Sequence, residues 1–260
     1  MSDDSKFQLM RGLVLLAAVS IAAARPAAAQ DPPPPPWDVE LGASFVGTSG
    51  NADTSSTGAN LTIHRHWPKW QVESTTTAIR AKENGLRTKE RYLTSFRAQR
   101  QLASIVGLTS EARVERDLIA GVGFRSILNT GLSWALVQSD RWTLNGISAA
   151  AWSHEAQVGG PHLDDPTGLL QLVNHVAIGA SGDTTARISY YPNFQHSTAY
   201  RAEGELSAQA SMNRRLALKL GYLLRYSNAP VPGFLKTDNT ATASVVVRWH
   251  GARPTPPGEP

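Results

Sequence analysis

Two histidines on one predicted strand are the first residues whose type and spacing suggest chemistry. His64 and His66 lie two positions apart, so both imidazoles point to the same face of a strand. A pair of imidazoles on one face is the beginning of a transition-metal site. The sequence offers no identifiable third ligand, and a metal centre needs further groups that orient its ligands. We therefore expect two polar residues near a strand end, and we predict no metal and no cofactor.

Other histidines lie beside acidic residues in predicted outer loops. His154 precedes Glu155, and His162 is followed by Asp164 and Asp165. An acidic loop with a histidine can bind a divalent cation through its oxygen atoms. Loops are also polar simply because they are solvated. The sequence favours this second interpretation.

A hydrolytic nucleophile needs a base within hydrogen-bond reach. The chain has no His-x-Ser sequence, and the neighbouring pairs Ser153–His154 and His196–Ser197 point to opposite faces of an extended chain. Glycine-rich phosphate loops and zincin motifs do not occur in the sequence either. We predict no catalytic residues. A membrane enzyme acting on lipid or lipopolysaccharide remains the alternative, and it would need a serine–histidine pair assembled across strands.

Alternation of apolar and polar residues recurs along most of the chain and predicts strands. In one segment Leu216, Leu218, Leu220, Tyr222, Leu224 and Tyr226 alternate with Lys219, Gly221 and Arg225. Runs of this kind between turn signals predict strands over 37–48, 55–67, 70–81, 89–100, 104–116, 124–138, 142–154, 169–180, 184–192, 200–211, 216–227 and 239–249. An apolar outside around a polar inside is typical of a transmembrane β-barrel. We therefore predict an all-β, antiparallel transmembrane barrel of about twelve strands.

Charged residues fall on the inward phase of these strands. A polar lumen tolerates them, whereas the core of a soluble barrel would leave them unpaired at a cost of several kcal/mol. The predicted lumen-facing charged residues are Glu40, Arg97, Glu111, Arg113, Arg201, Glu203, Lys219 and Arg225, and Arg91 and Glu115 fall on the same inward phase.

Connections and aromatic residues predict the orientation of the barrel. Alternate connections are short turns, whereas the others are mostly longer and include the predicted loops 155–168 and 228–238. Short turns are typical of the periplasmic side, so we expect both termini in the periplasm. Tryptophan and tyrosine prefer the membrane boundary. Trp37, Trp67, Trp70, Trp142 and Trp249 fall at the predicted periplasmic ends of strands, and Tyr191, Tyr200 and Tyr226 fall near the opposite rim.

Both ends of the chain predict export and extended tails. Residues 1–29 combine Lys6 and Arg11 with an apolar run and a small-residue cleavage site, as a signal peptide does. We expect a proline-rich periplasmic spacer over 30–36, the barrel over 37–249 and a proline-rich tail over 250–260. There is no cysteine, and the formal net charge of +4 is too mild to predict a nucleic-acid partner.

The motifs at the two ends of the predicted barrel resemble a known family. Glu40-Leu41-Gly42 followed by Ser49-Gly50-Asn51-Ala52-Asp53-Thr54, and the closing segment Tyr226–Asp238, match the domain of unknown function family 481, often labelled salt-induced outer-membrane protein. The resemblance implies an outer-membrane barrel and implies no established activity.

These observations predict a passive role in the cell envelope. We expect either a narrow pore for small polar solutes or a barrel that stabilises the outer membrane under osmotic or salt stress. The expected partners are outer-membrane lipid and, during biogenesis, the barrel assembly machinery.

Overall fold

A computed structural model describes residues 37–48 and 54–250 of the chain. The predicted signal peptide, the proline-rich spacer, residues 49–53 and residues 251–260 lie outside the described residues. The twelve strands are β1 (Trp37–Thr48), β2 (Thr54–His66), β3 (Trp70–Glu83), β4 (Leu86–Gln101), β5 (Val106–Asp117), β6 (Val122–Gln138), β7 (Trp142–Gln157), β8 (His162–Ile178), β9 (Gly182–Tyr191), β10 (Arg201–Ser211), β11 (Leu216–Ser227) and β12 (Thr237–His250).

The strands form one closed antiparallel barrel. Each strand pairs with its neighbours in sequence, and β1 pairs with β12 to close the ring. At this seam the residues from Asp38 to Ala43 pair with those from His250 to Val245. The predicted fold class, an antiparallel barrel of about twelve strands, is confirmed.

The barrel has its apolar residues outside and its polar residues inside. Leu128, Leu220 and Phe45 are 65%, 62% and 74% exposed on the outer surface, whereas Glu115 and Asp117 are each only 2% exposed. An exposed apolar belt around a polar interior is stable only where lipid replaces water outside. Within the described residues, helices of sufficient length and apolarity to span a membrane are not found.

One predicted loop is instead part of two strands. Residues 155–168 were expected to form a long connection, but β7 continues to Gln157 and β8 begins at His162, which leaves a four-residue turn. The sequence did not predict this part of β8, because Pro166 lacks an amide donor and a proline argues against a strand. Its carbonyl accepts a hydrogen bond from the Phe194 amide (2.9 Å), so Pro166 faces the β9–β10 connection and lies outside the β8–β9 ladder, which starts only at Leu170.

Aromatic residues occupy both rims of the barrel. Trp37, Trp67, Trp70, Trp142 and Trp249 lie at the end where β1 begins and β12 ends. Short turns are not confined to this end as predicted, because the β3–β4, β5–β6 and β7–β8 connections at the other end have two to four residues. At the opposite end the rings of Tyr190, Tyr200 and Tyr226 pack in a row, with centroids 5.7 and 6.0 Å apart. The prediction for Tyr191 is wrong, because neighbouring strand residues face opposite sides and Tyr191 points into the lumen, only 7% exposed.

Trp249 anchors the closing strand at the tryptophan rim. Trp249 is 47% exposed and its ring points outward. Its register partner across the seam is Val39 on β1. An indole at the membrane boundary is favoured, so we expect Trp249→Ala to lower the yield of barrel that shifts in mobility on heating. Removing residues 251–260 should leave this yield unchanged, because Pro254, Pro256 and Pro257 cannot donate to a sheet. The opposite pattern of yields would contradict the placement of β12 as the closing strand.

Candidate functional site: the barrel lumen

A large polar cavity occupies the lumen on the side of the tryptophan rim. Its volume is about 620 Å³. One wall, from β12 through β1 to β3, carries small hydroxyl and amide side chains: Ser44, Ser56, Asn60, Thr62, Thr75, Thr77, Thr242 and Ser244. Because strands alternate their faces, the inward phase of these strands presents hydrogen-bonding groups every second residue.

The other wall of this inner cavity carries paired charges. Arg97 Nη2 lies 2.7 Å from Glu111 Oε2, and Arg187 Nη1 lies 3.1 Å from Glu205 Oε2. Each pair joins neighbouring strands, β4 with β5 and β9 with β10. The hydroxyl wall also carries a pair near the tryptophan rim, where Arg248 Nε donates to Glu40 Oε1 (2.9 Å). The inner cavity is therefore lined mainly by hydroxyl and amide groups on one side and mainly by paired charges on the other.

A layer of side chains crosses the lumen at the outer end of the inner cavity. We call it the septum; it consists of Arg91, Arg113, Glu115, Asp117, Tyr191, Glu203 and Arg225. Arg113 on β5 contacts Glu203 on β10 (Nη2–Oε1 3.3 Å), and Arg225 on β11 contacts Glu115 on β5 (Nη1–Oε1 3.0 Å). In a ring of twelve strands β5 and β11 lie opposite each other, so these ion pairs span the lumen.

Glu115 is the centre of the septum. Its carboxylate lies 2.8 Å from Arg91, 3.0 Å from Arg225, 3.5 Å from Arg125 and 3.7 Å from Arg113. Arg225 also contacts Asp117 (2.5 Å) and Asp238. Ionised groups can be buried to this extent only when they are paired and hydrogen-bonded.

A smaller cavity lies beyond the septum, toward the tyrosine rim. Its volume is about 130 Å³, and Tyr191 and Glu203 line both cavities. The β11–β12 connection folds over this outer cavity, where Val231 is 6% exposed. Gly121 permits this packing, because it has φ +77° and a Cβ atom there would lie 2.7 Å from the ring of Phe234.

The family model for proteins of unknown function DUF481 matches residues 39–249. This match covers the whole barrel. The chain belongs to the DUF481 family. The sequence matches no curated protein significantly.

Solved outer-membrane barrels share the architecture of this DUF481 protein. The COG4313 outer-membrane channel from Pseudomonas putida F1 is similar with a TM-score of 0.51 and 9% identity, over 87% of this chain and 100% of that chain. The NanC porin has a TM-score of 0.48 and 12% identity, over 84% of this chain and 100% of that chain. At these identities the likeness concerns the fold alone.

The eight charged residues predicted for the lumen are distributed over its three layers. Those in the inner cavity are Glu40, Arg97, Glu111 and Lys219; those in the septum are Arg113, Glu203 and Arg225; and Arg201 lines the outer cavity. The guanidinium carbon of Arg201 lies 5.5 Å from the ring centroid of Tyr191. The structure brings Arg97 to Glu111 and Arg113 to Glu203, whereas Glu40 pairs with Arg248.

Sequence reasoning missed two members of the septum. Asp117 lies one residue beyond the predicted end of the fifth strand, although it continues the inward phase of Glu111, Arg113 and Glu115. Extending that alternation would have found it. Tyr191 was assigned to the rim by residue type, and the phase of β9 would have corrected the assignment.

The histidine pair lies at the tryptophan rim, on the inner face. The rings of His64 and His66 stack with centroids 6.2 Å apart, and His64 Nδ1 lies 3.5 Å from Glu73 Oε2. His250 Nδ1 contacts Asp38 Oδ1 at 3.1 Å on the neighbouring strands. Within the described ranges, groups of three or more side chains able to hold a metal ion are not found.

Proposed function

We propose that this DUF481 protein is an outer-membrane channel for small polar solutes whose lumen is closed at rest by the septum. The observation that carries the proposal is a hydroxyl-lined cavity of about 620 Å³ that ends at a layer of interacting side chains. Side chains can exchange partners without any change in the barrel backbone. A barrel of similar fold is described as an outer-membrane channel, and this supports the proposal.

Charge balance in the inner cavity favours uncharged solutes. Its basic residues are matched in number by its carboxylates: Arg91, Arg97, Arg113, Arg187 and Lys219 against Glu40, Glu73, Glu111, Glu203 and Glu205. Selective passage of ions generally needs an excess of one sign along the pore. The hydroxyl wall supplies donors and acceptors that suit polar, uncharged molecules.

We propose that both termini lie in the periplasm and that the assembly machinery inserts the barrel into outer-membrane lipid. The even number of strands puts Trp37 and His250 at one end. The connections at that end, over 67–69, 102–105, 139–141, 179–181 and 212–215, have three or four residues. Turns of this length are usual on the periplasmic side.

Planar-bilayer recordings test the proposed function. We expect small, infrequent current steps from the wild type and several-fold larger steps from Arg113→Ser/Glu203→Ser, because this double substitution removes a cross-lumen pair without changing the net charge. Because the basic and acidic residues of the inner cavity are equal in number, the channel should not select between cations and anions, and the reversal potential in a salt gradient should stay close to zero.

The matched control is Arg187→Ser/Glu205→Ser. It removes an ion pair of similar distance (3.1 Å) that joins neighbouring strands and does not cross the lumen. We expect currents from this variant to resemble those of the wild type. If neither the wild type nor Arg113→Ser/Glu203→Ser conducts, the barrel is a structural element of the envelope and the channel proposal is wrong.

A further inference from the structure

A row of three polar side chains crosses the outer surface of β6, β7 and β8. Ser126 is the register partner of His154, and His154 is the register partner of Asp164. All three belong to the outward phase of their strands, which they share with the exposed residues Leu128, Trp152 and Leu170. The lumen and its septum lie on the opposite face, so this row is independent of the proposed channel.

The contacts within the row follow the order of a catalytic triad. His154 Nδ1 lies 2.7 Å from Asp164 Oδ1. Ser126 lies on the other side of His154, because β6 and β8 flank β7. The Cβ atoms of directly opposed residues are about 4.5–5.5 Å apart, so a side-chain rotation can bring a serine hydroxyl to the Nε2 atom. Such contacts are often loose before substrate binds.

The position of the row fits a substrate at the lipid–water boundary. On the membrane side it adjoins Leu128, Trp152 and Pro166, which form the next outward row. Leu128 and Trp152 are 65% and 52% exposed. The row lies near the end of the barrel opposite the tryptophan rim. With both termini in the periplasm, as proposed above, this end lies at the outer leaflet, where the acyl esters of a lipid would meet the row.

We propose that Ser126, His154 and Asp164 form a serine esterase site that hydrolyses ester-linked acyl chains of outer-leaflet lipids. The Ser126 hydroxyl oxygen attacks the ester carbonyl carbon while His154 Nε2 takes its proton. The ester C–O bond then breaks, His154 returns the proton to the leaving alcohol, and an acyl-serine remains. Water, activated by the same imidazole, releases the fatty acid and restores the serine.

Asp164 and His162 have supporting roles in this step. The Asp164 carboxylate holds the proton of His154 on Nδ1, which leaves Nε2 as the base, and it stabilises the imidazolium that forms. The ring of His162 lies 6.0 Å from that of His154 on the same face. It is positioned to donate to the oxyanion that develops on the carbonyl oxygen.

A fluorophosphonate probe on the detergent-solubilised full chain tests the site. We expect the probe to label the wild type and not Ser126→Ala. Release of fatty acid should be lost in Ser126→Ala and should fall by about 100-fold or more in His154→Ala. Parallel assays with phospholipid micelles and with lipopolysaccharide show which lipid supplies the ester.

Ser110→Ala is the matched control. Ser110 is outward and bonds to Thr130 (2.9 Å), in a row that carries alanine at the next position, Ala150. We expect its labelling and hydrolysis to equal those of the wild type, and all variants to show the same mobility shift on heating. An unlabelled wild type, or equal labelling of Ser126→Ala, would overturn the proposal. Ser126→Ala should leave bilayer currents unchanged, so failure of this site and failure of the channel are distinguishable.

Discussion

Glu115→Ala should destabilise the barrel by about 3–5 kcal/mol, because it leaves buried guanidinium groups without their shared carboxylate. Glu115 is 2% exposed and lies within 4 Å of Arg91, Arg113, Arg125 and Arg225. Removing one partner of a buried ion pair leaves an uncompensated charge, and here several like charges would face each other across the lumen. Urea unfolding of the protein in phospholipid vesicles, followed by tryptophan fluorescence, measures the free energy change.

Two further substitutions show which property of Glu115 stabilises the barrel. One tests its charge, and the other compares it with a more exposed carboxylate. Glu115→Gln keeps the shape of the side chain and removes the charge, so it should lose most of the same stability. Glu205→Ala removes a carboxylate that is 41% exposed and contacts Arg187 at 3.1 Å, and it should cost about 0–1 kcal/mol. Equal stability losses for Glu115→Ala and Glu205→Ala would show that water reaches the septum freely.

The strands could be predicted because the barrel imposes one rule along most of the chain. In β11 and β12 most inward positions are polar or small and most outward positions are apolar, so the period of two is clear in the sequence although Leu223 and Val246 face inward. The rule fails for β8, where Pro166 interrupts the alternation and the strand begins at His162 rather than at residue 169. A proline is acceptable at that point because the β9 ladder starts only at Leu170.

The contacts of the candidate site could not be predicted from the sequence, because they depend on barrel closure. Alternation indicates that Glu115 and Arg225 point inward, but their contact joins strands that are far apart in the chain. Closure of the ring brings β5 opposite β11, and the register sets which side chains meet. The same limit applies to Ser126 and His154, which become neighbours only through the β6–β7 register.

Leu220→Arg tests the assignment of the two faces directly. Leu220 is 62% exposed on β11 and has Ala208 and Ala243 as its register partners, so it faces lipid between small side chains. An arginine on the lipid face near the bilayer midplane costs about 2–4 kcal/mol, because the charge loses its hydration without gaining a partner. We expect a corresponding loss of urea stability and a lower yield of heat-modifiable barrel.

Lys219→Ala is the control for the opposite face, since Lys219 is the preceding residue of β11 and lines the inner cavity. The substitution replaces a lysine in a polar lumen with a small residue, so stability should stay within about 0.5 kcal/mol of the wild type. A tolerated Leu220→Arg together with a destabilising Lys219→Ala would mean that lipid contacts the other face of β11. Because a one-residue slip moves every side chain of a strand to the opposite face, the pair of variants tests the phase of β11 as a whole.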